Sequence, residues 1–81
     1  MEKEVHSERL SIERKIFFLD LKENERGRFL KITEDVGGRR DTIIIPAVGL
    51  KDFSRAVQSA IEVEQDLPYL ESRPPDDEEG V

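Results

Sequence analysis

Apolar and polar residues alternate from Lys15 to Glu23, in the run KIFFLDLKE, which predicts a strand with Phe17, Leu19 and Leu21 on one face and Phe18, Asp20 and Lys22 on the other. Asn24 to Gly27 reads as a turn, because asparagine tolerates left-handed backbone and glycine adopts it without steric cost. The next strand, Arg28 to Glu34, puts Leu30 and Ile32 on the side of Leu19 and Leu21, with Phe29, Lys31 and Thr33 behind them. Asp35 to Asp41, with Gly37, Gly38, Arg39 and Arg40, reads as a polar connection. Thr42 to Pro46 follows as a third apolar strand, closed by a proline that cannot continue a central ladder. Glu4 to Ile12 is mixed and reads as a weaker first strand.

The period changes after Gly49. Leu50, Phe53, Val57, Ala60 and Ile61 recur at three- and four-residue steps, the apolar stripe of an amphipathic helix over residues 50–63. Four strands and then one helix, with no βα alternation, predict an α+β fold: a four-stranded antiparallel sheet with the helix laid on one face. Beyond the helix, Leu67, Tyr69 and Leu70 are able to pack, whereas RPPDDEEGV offers nothing to bury and is expected to be a disordered, acidic tail.

Composition adds a constraint on assembly. The chain has 81 residues, room for one small domain, and 36% of them are apolar. Ordinary globular domains have roughly 45–50%. A lone copy has a thin core to set against its ordering entropy, so self-association is expected. No cysteine is present, which removes disulfides, thiolate metal sites and cysteine nucleophiles. The N-terminus resembles no signal peptide and no segment approaches a membrane span, so the expectation is a soluble, cytoplasmic protein, nucleoid-associated in a bacterium. Net charge is −6, but residues 1–48 carry ten basic and ten acidic side chains, while residues 64–81 carry one arginine and seven acids. The folded part is electrically balanced and the excess negative charge is confined to the C-terminal segment.

The outward face of the central hairpin collects Phe18, Lys22 and Asn24 from one strand and Phe29 and Lys31 from the other, with Arg26 in the turn. Cations suit phosphates, an amide suits base edges or backbone oxygens, and an exposed ring suits an unpaired base. Duplex DNA offers no free base face, so single strands are the expected target. Each feature taken alone has an ordinary explanation: second-face aromatics are usually covered by another element, and lysines along strands are usually solvated. Catalytic chemistry has no support in the pattern. His6 is the sole histidine, on a strand expected to fray, and no nucleophile elbow, phosphate-cradling glycine loop or metal-ligand spacing occurs. No catalytic residue, metal, cofactor, small-molecule substrate or membrane partner is expected.

The segment Asp20-Leu21-Lys22-Glu23-Asn24-Glu25-Arg26-Gly27-Arg28-Phe29-Leu30-Lys31-Ile32 resembles the central signature of the PUR repeat, D-hydrophobic-K-x-N-x-x-G-R-F-L-K/R-I/V. The preceding pair Phe17-Phe18, the Gly37-Gly38 loop, the TIII strand and the helix opening Val48-Gly49-Leu50-Lys51-Asp52-Phe53 fall in the family's order, so the resemblance spans roughly Glu4 to Glu64. It implies a single ββββα PUR repeat over residues 4–64, followed by the acidic, proline-containing tail of residues 65–81. It further implies that the helix swaps onto a second repeat, which a single-repeat chain supplies by homodimerising. The implied activity is binding of single-stranded DNA or RNA, with a bias towards purine-rich sequence. The implied contacts are Lys22, Asn24, Arg26 and Phe29, with Arg28 and Lys31 as additions. The rival reading is a small dimeric protein-interaction module that uses the tail or the Phe18/Phe29 face and binds no nucleic acid.

Overall fold

The computed structural model describes residues 1–67. Four antiparallel strands follow one another across a single sheet: β1 (Lys3–Ile12), β2 (Lys15–Asn24), β3 (Gly27–Val36) and β4 (Arg39–Pro46), in the order β1-β2-β3-β4. A short 3₁₀ turn, Ala47–Gly49, leads into helix α1, Leu50–Asp66. The expected ββββα order is therefore present. The first strand is stronger than its mixed sequence suggested, pairing with β2 along its length apart from an irregularity between Glu4 and His6.

Register fixes the two faces. Leu19 lies opposite Ile32, Leu21 opposite Leu30, and those opposite Ile43 and Ile45 in turn. Leu10 lies opposite Phe17. This apolar face thus runs across all four strands, as the period-two pattern of β2 and β3 requires. Phe18, Asp20, Lys22 and Asn24 take the other face with Phe29, Lys31 and Thr33.

The connection expected over Asp35 to Asp41 is much shorter. β3 continues through Asp35 to Val36 and β4 starts at Arg39, so only Gly37 and Gly38 form the loop. Both have positive φ, 61° and 92°, the backbone that a tight two-residue hairpin demands. The Asp35 carboxylate accepts a hydrogen bond from the Gly38 N–H (3.0 Å) and another from Arg40 Nε (2.8 Å). Those contacts, the Arg40 guanidinium first, hold the Asp35 carboxyl below its ordinary pKa. Charged flanks and paired glycines look like a long loop in sequence, yet here the flanking charges are strand residues that tie the loop.

The helix departs most clearly from the expected packing. It does not lie on a face of its own sheet: it contacts the 3₁₀ turn, and every residue from Lys51 to Asp66 is exposed. Phe53, Val57 and Ile61 remain 41%, 46% and 39% exposed. Among the described residues no hydrophobic side chain is buried, and Thr33 is the one buried residue. The extents are 48 × 30 × 18 Å and the radius of gyration is 15.1 Å. A compact domain of this size has roughly 11 Å. Pro46 ends β4 and the 3₁₀ turn Ala47–Gly49 runs directly into the helix, which leaves the sheet rather than turning back over it. The helix stops at Leu67, whose extended backbone suits a residue preceding proline, here Pro68. The acidic tail expected from residue 65 onward lies largely outside the described residues.

Candidate nucleic-acid interface

The centre of the polar face is the β2–β3 hairpin. Lys22 stands directly opposite Phe29, Asp20 opposite Lys31, and Asn24 opposite Gly27. Directly opposed side chains have Cβ atoms about 4.5–5.5 Å apart, and diagonal ones about 7–8 Å apart. Phe29 therefore has Lys22 beside it and Asp20 on its diagonal. Asp20, Lys22, Asn24, Phe29 and Lys31 are all half-buried.

The hairpin tip is built by its own polar groups. Asn24 Oδ1 accepts the Arg26 backbone N–H at 2.9 Å, closing an Asx turn. That contact uses the amide's acceptor and leaves its NH₂ to donate outward. Gly27, at φ 133°, begins β3 in a conformation that L-residues avoid. Arg26 is fully at the tip and exposed. Beside it, Glu25 is held below its ordinary carboxyl pKa chiefly by the N-terminal ammonium at 2.6 Å.

An open groove of about 490 Å³ runs along this end of the sheet, lined by Asn24, Arg26, Gly27, Arg28, Phe29, Ile44, Pro46 and Glu2. Pro46 pairs with Phe29, and Ile44 pairs with Lys31. The floor is thus a ring and two aliphatic side chains, and the rim carries cations and an amide. Lys22 is 20% exposed and its Nζ lies 3.4 Å from Glu2 Oε1, so its ammonium is paired with a carboxylate. Further along the face, Phe18 carries the Arg40 guanidinium, 5.1 Å from the ring centroid. A cation over an aromatic face is favourable, and here it covers the Phe18 ring.

Of the expected contact residues, the structure brings Lys22, Asn24, Phe29 and Lys31 onto one face and sets Arg26 at its end. Arg28 is not brought onto that face. It lies opposite Glu23, on the side of Leu21 and Leu30, as strand alternation dictates for a neighbour of Phe29, although it contributes to the groove's end. Three participants were missed. Ile44 is hidden in sequence by the apolar run Ile43 to Ile45, and Pro46 reads only as a strand terminator. Glu2 belongs to no motif, and only the pairing of β1 with β2 brings it to Lys22.

A twisted platform of this kind, with an aromatic ring, cations and amide donors on an uncovered sheet face, defines a single-strand-binding class of module. The family described as "PurA ssDNA and RNA-binding protein" matches residues 1–76, and the chain belongs to it. The family is a nucleic-acid-binding module and not a catalytic one. Over 50 residues the chain is 50% identical to "Transcription factor Pur-alpha 1" of Arabidopsis thaliana, covering 62% of this chain and 17% of that protein. It is 40% identical over 63 residues to human "Transcriptional activator protein Pur-alpha", covering 69% and 20%. With human "Transcriptional regulator protein Pur-beta" it shares 38% identity over 60 residues, covering 73% and 19%. The chain spans about a fifth of the length of these relatives.

Proposed function

We propose that this chain acts as a homodimer that binds single-stranded DNA or RNA through the Lys22–Phe29 face of its sheet. The observation that carries the reading is the direct pairing of Lys22 with Phe29 on an uncovered face, flanked by Lys31 and the free donors of Asn24. A base stacks on the Phe29 ring while Lys22, Lys31 and Arg26 meet phosphates. The open groove lined by Ile44 and Pro46 suits a strand's apolar base surfaces.

The dimer follows from what one copy leaves uncovered. The apolar sheet face and the stripe Phe53, Val57, Ile61 are both open in a single chain. Each is the complement of the other, and a helix that lies off its own sheet is free to lie on a partner's. The run of elements from Lys3 to Asp66 supports reading residues 4–64 as one repeat. A cytoplasmic location, nucleoid-associated in a bacterium, accords with this activity, and no helix among the described residues is long and apolar enough to cross a membrane.

Fluorescence anisotropy with a labelled purine-rich single strand, its duplex and the matching RNA tests the reading, with sedimentation of the protein alone in parallel. Salt-sensitive binding of the single strands, weak binding of the duplex and a dimer mass are expected. A folded monomer across micromolar concentrations would remove the dimer. The absence of single-strand binding at any salt would favour the protein-interaction module instead.

A further inference from the structure

We infer that β4 pairs edge to edge with β4 of a second copy, antiparallel about a two-fold axis at Ile43, so that two sheets join into one. The contact is made by the strand edge and not by the helix stripe, and it links helix-on-sheet dimers rather than replacing them. β1 and β4 end the strand order, so each carries backbone groups that no neighbouring strand takes among the described residues. The two edges differ. On β1 an irregularity between Glu4 and His6 interrupts the ladder, and Lys3, Glu4, Glu8 and Arg9 place charge along it. Bulges and charges are what blunt an edge against further pairing. β4 has unbroken register and is uncharged from Thr42 to Pro46, with Ile43 and Ile44 55% and 53% exposed.

The phase of the ladder says which groups face outward. Pro46 has no N–H to give, so its place opposite Phe29 is a non-bonded pair, and alternation makes Ile44 with Lys31 and Thr42 with Thr33 non-bonded pairs too. The two-residue turn at Gly37 and Gly38 gives the same phase, because such a turn bonds the pair that flanks it, Val36 and Arg39. Arg40, Thr42 and Ile44 therefore turn their N–H groups to the open edge. With the axis at Ile43, Thr42 of each copy faces Ile44 of the other and exchanges both bonds with it. The Arg40 N–H then donates to the second copy's Pro46 carbonyl, so each outward donor is used. Moving the axis to Thr42 would set Pro46 against Gly38, whose N–H is already given to Asp35 at 3.0 Å. Charge selects the direction. Antiparallel pairing sends Arg39 and Arg40 of the two copies to opposite ends, whereas parallel pairing in register would set Arg40 beside Arg40. Facing residues share a side, so the Lys22–Phe29 faces of both copies lie on the same side of the joined sheet.

The chain has no cysteine, so a single introduced thiol reports its own neighbour. Full-length Ile43→Cys and Val5→Cys, one on each edge strand, are oxidised with diamide and the disulfide-linked pair is followed on a non-reducing gel. Ile43→Cys should cross-link roughly tenfold faster or more, because facing residues of a non-bonded pair meet the Cα separation that a disulfide needs. Sedimentation of the unaltered chain at rising concentration should show masses above two chains. Thr42→Pro, which removes an outward donor and no bond of the β3–β4 ladder, should return the mass to two. Equal cross-linking of the two thiols overturns the inference and leaves the edge to an unlike strand. A mass of two chains at every concentration, with slow cross-linking of Ile43→Cys, overturns it while the helix-on-sheet dimer stands. The same mass with fast cross-linking makes the edge contact the dimer itself, which supports this inference and removes the helix-on-sheet reading.

Discussion

At the scale of single residues, the proposed stacking and charge contacts are separable because they fall to different side chains of one cross-strand pair. Phe29→Ala should lose roughly 1–3 kcal/mol of single-strand affinity with little change in salt dependence. Lys22→Ala should lower the salt slope instead, by about 0.7 for each phosphate contact removed. Both variants should stay folded and keep the parent's mass, since neither side chain lies on the Leu19, Leu21, Leu30 and Ile32 face. Anisotropy titrations at several salt concentrations distinguish them, and a Phe29→Ala protein that unfolds would make Phe29 a packing residue. A second residue-scale expectation concerns pH. The Asp35 carboxyl is depressed below its ordinary value of 3.8 by Arg40 and the Gly38 N–H, so its share of hairpin stability is present above that value and disappears as pH falls through the lower, folded one. Carboxyl-resonance titration should find its midpoint below 3.8, and a midpoint at or above it would contradict the contacts. Much of this site was legible because strand alternation assigns Lys22, Asn24, Phe29 and Lys31 to one side from sequence alone. Arg28 fails by the same rule: adjacent to Phe29, it must point the other way. Glu2 and the Arg40 cover over Phe18 depend on pairings between strands, which a linear pattern does not encode.

Among the elements, the helix carries the sharpest expectation. Phe53 is half-exposed in one chain, so an aspartate there would cost little if the stripe stayed in water. Against a partner's apolar sheet face it becomes an unpaired buried carboxylate, a penalty of several kcal/mol. Phe53→Asp should therefore abolish the dimer and with it cooperative folding, seen as loss of the dimer mass in sedimentation and of the thermal transition in circular dichroism. A variant that melts like the parent would show the stripe to be solvent-facing in the assembly as well. The helix itself was plain from its three- and four-residue apolar steps. Its placement was not, because amphipathicity says that one side must be covered and is silent on whose surface covers it. The same distinction explains β4. Ile43 to Ile45 announce a strand, but an unbroken apolar run does not say which residue joins the groove.

For the whole molecule, the charge distribution matters more than the net value. The described sheet is balanced, while the acids of residues 64–81 give the chain its excess. On the proposed reading, those acids are expected to compete with phosphates for Lys22, Arg26 and Lys31. Deleting residues 73–81 should tighten single-strand binding, and the gain should shrink as salt rises, because screening weakens both competitors. Identical low-salt affinities of full-length and truncated chains would exclude the competition.

Consecutive strand order has a kinetic side. Each of the three strand pairings closes across a two-residue turn, so the sheet's contacts are local in sequence and low in contact order, which favours rapid formation. In the proposed dimer nothing comparable accelerates the last step, since there the helix finds its surface on another molecule. Refolding should then separate into a fast phase independent of protein concentration and a slower one that quickens as concentration rises. Between the two lies a transient sheet with bare faces, the species most exposed to aggregation.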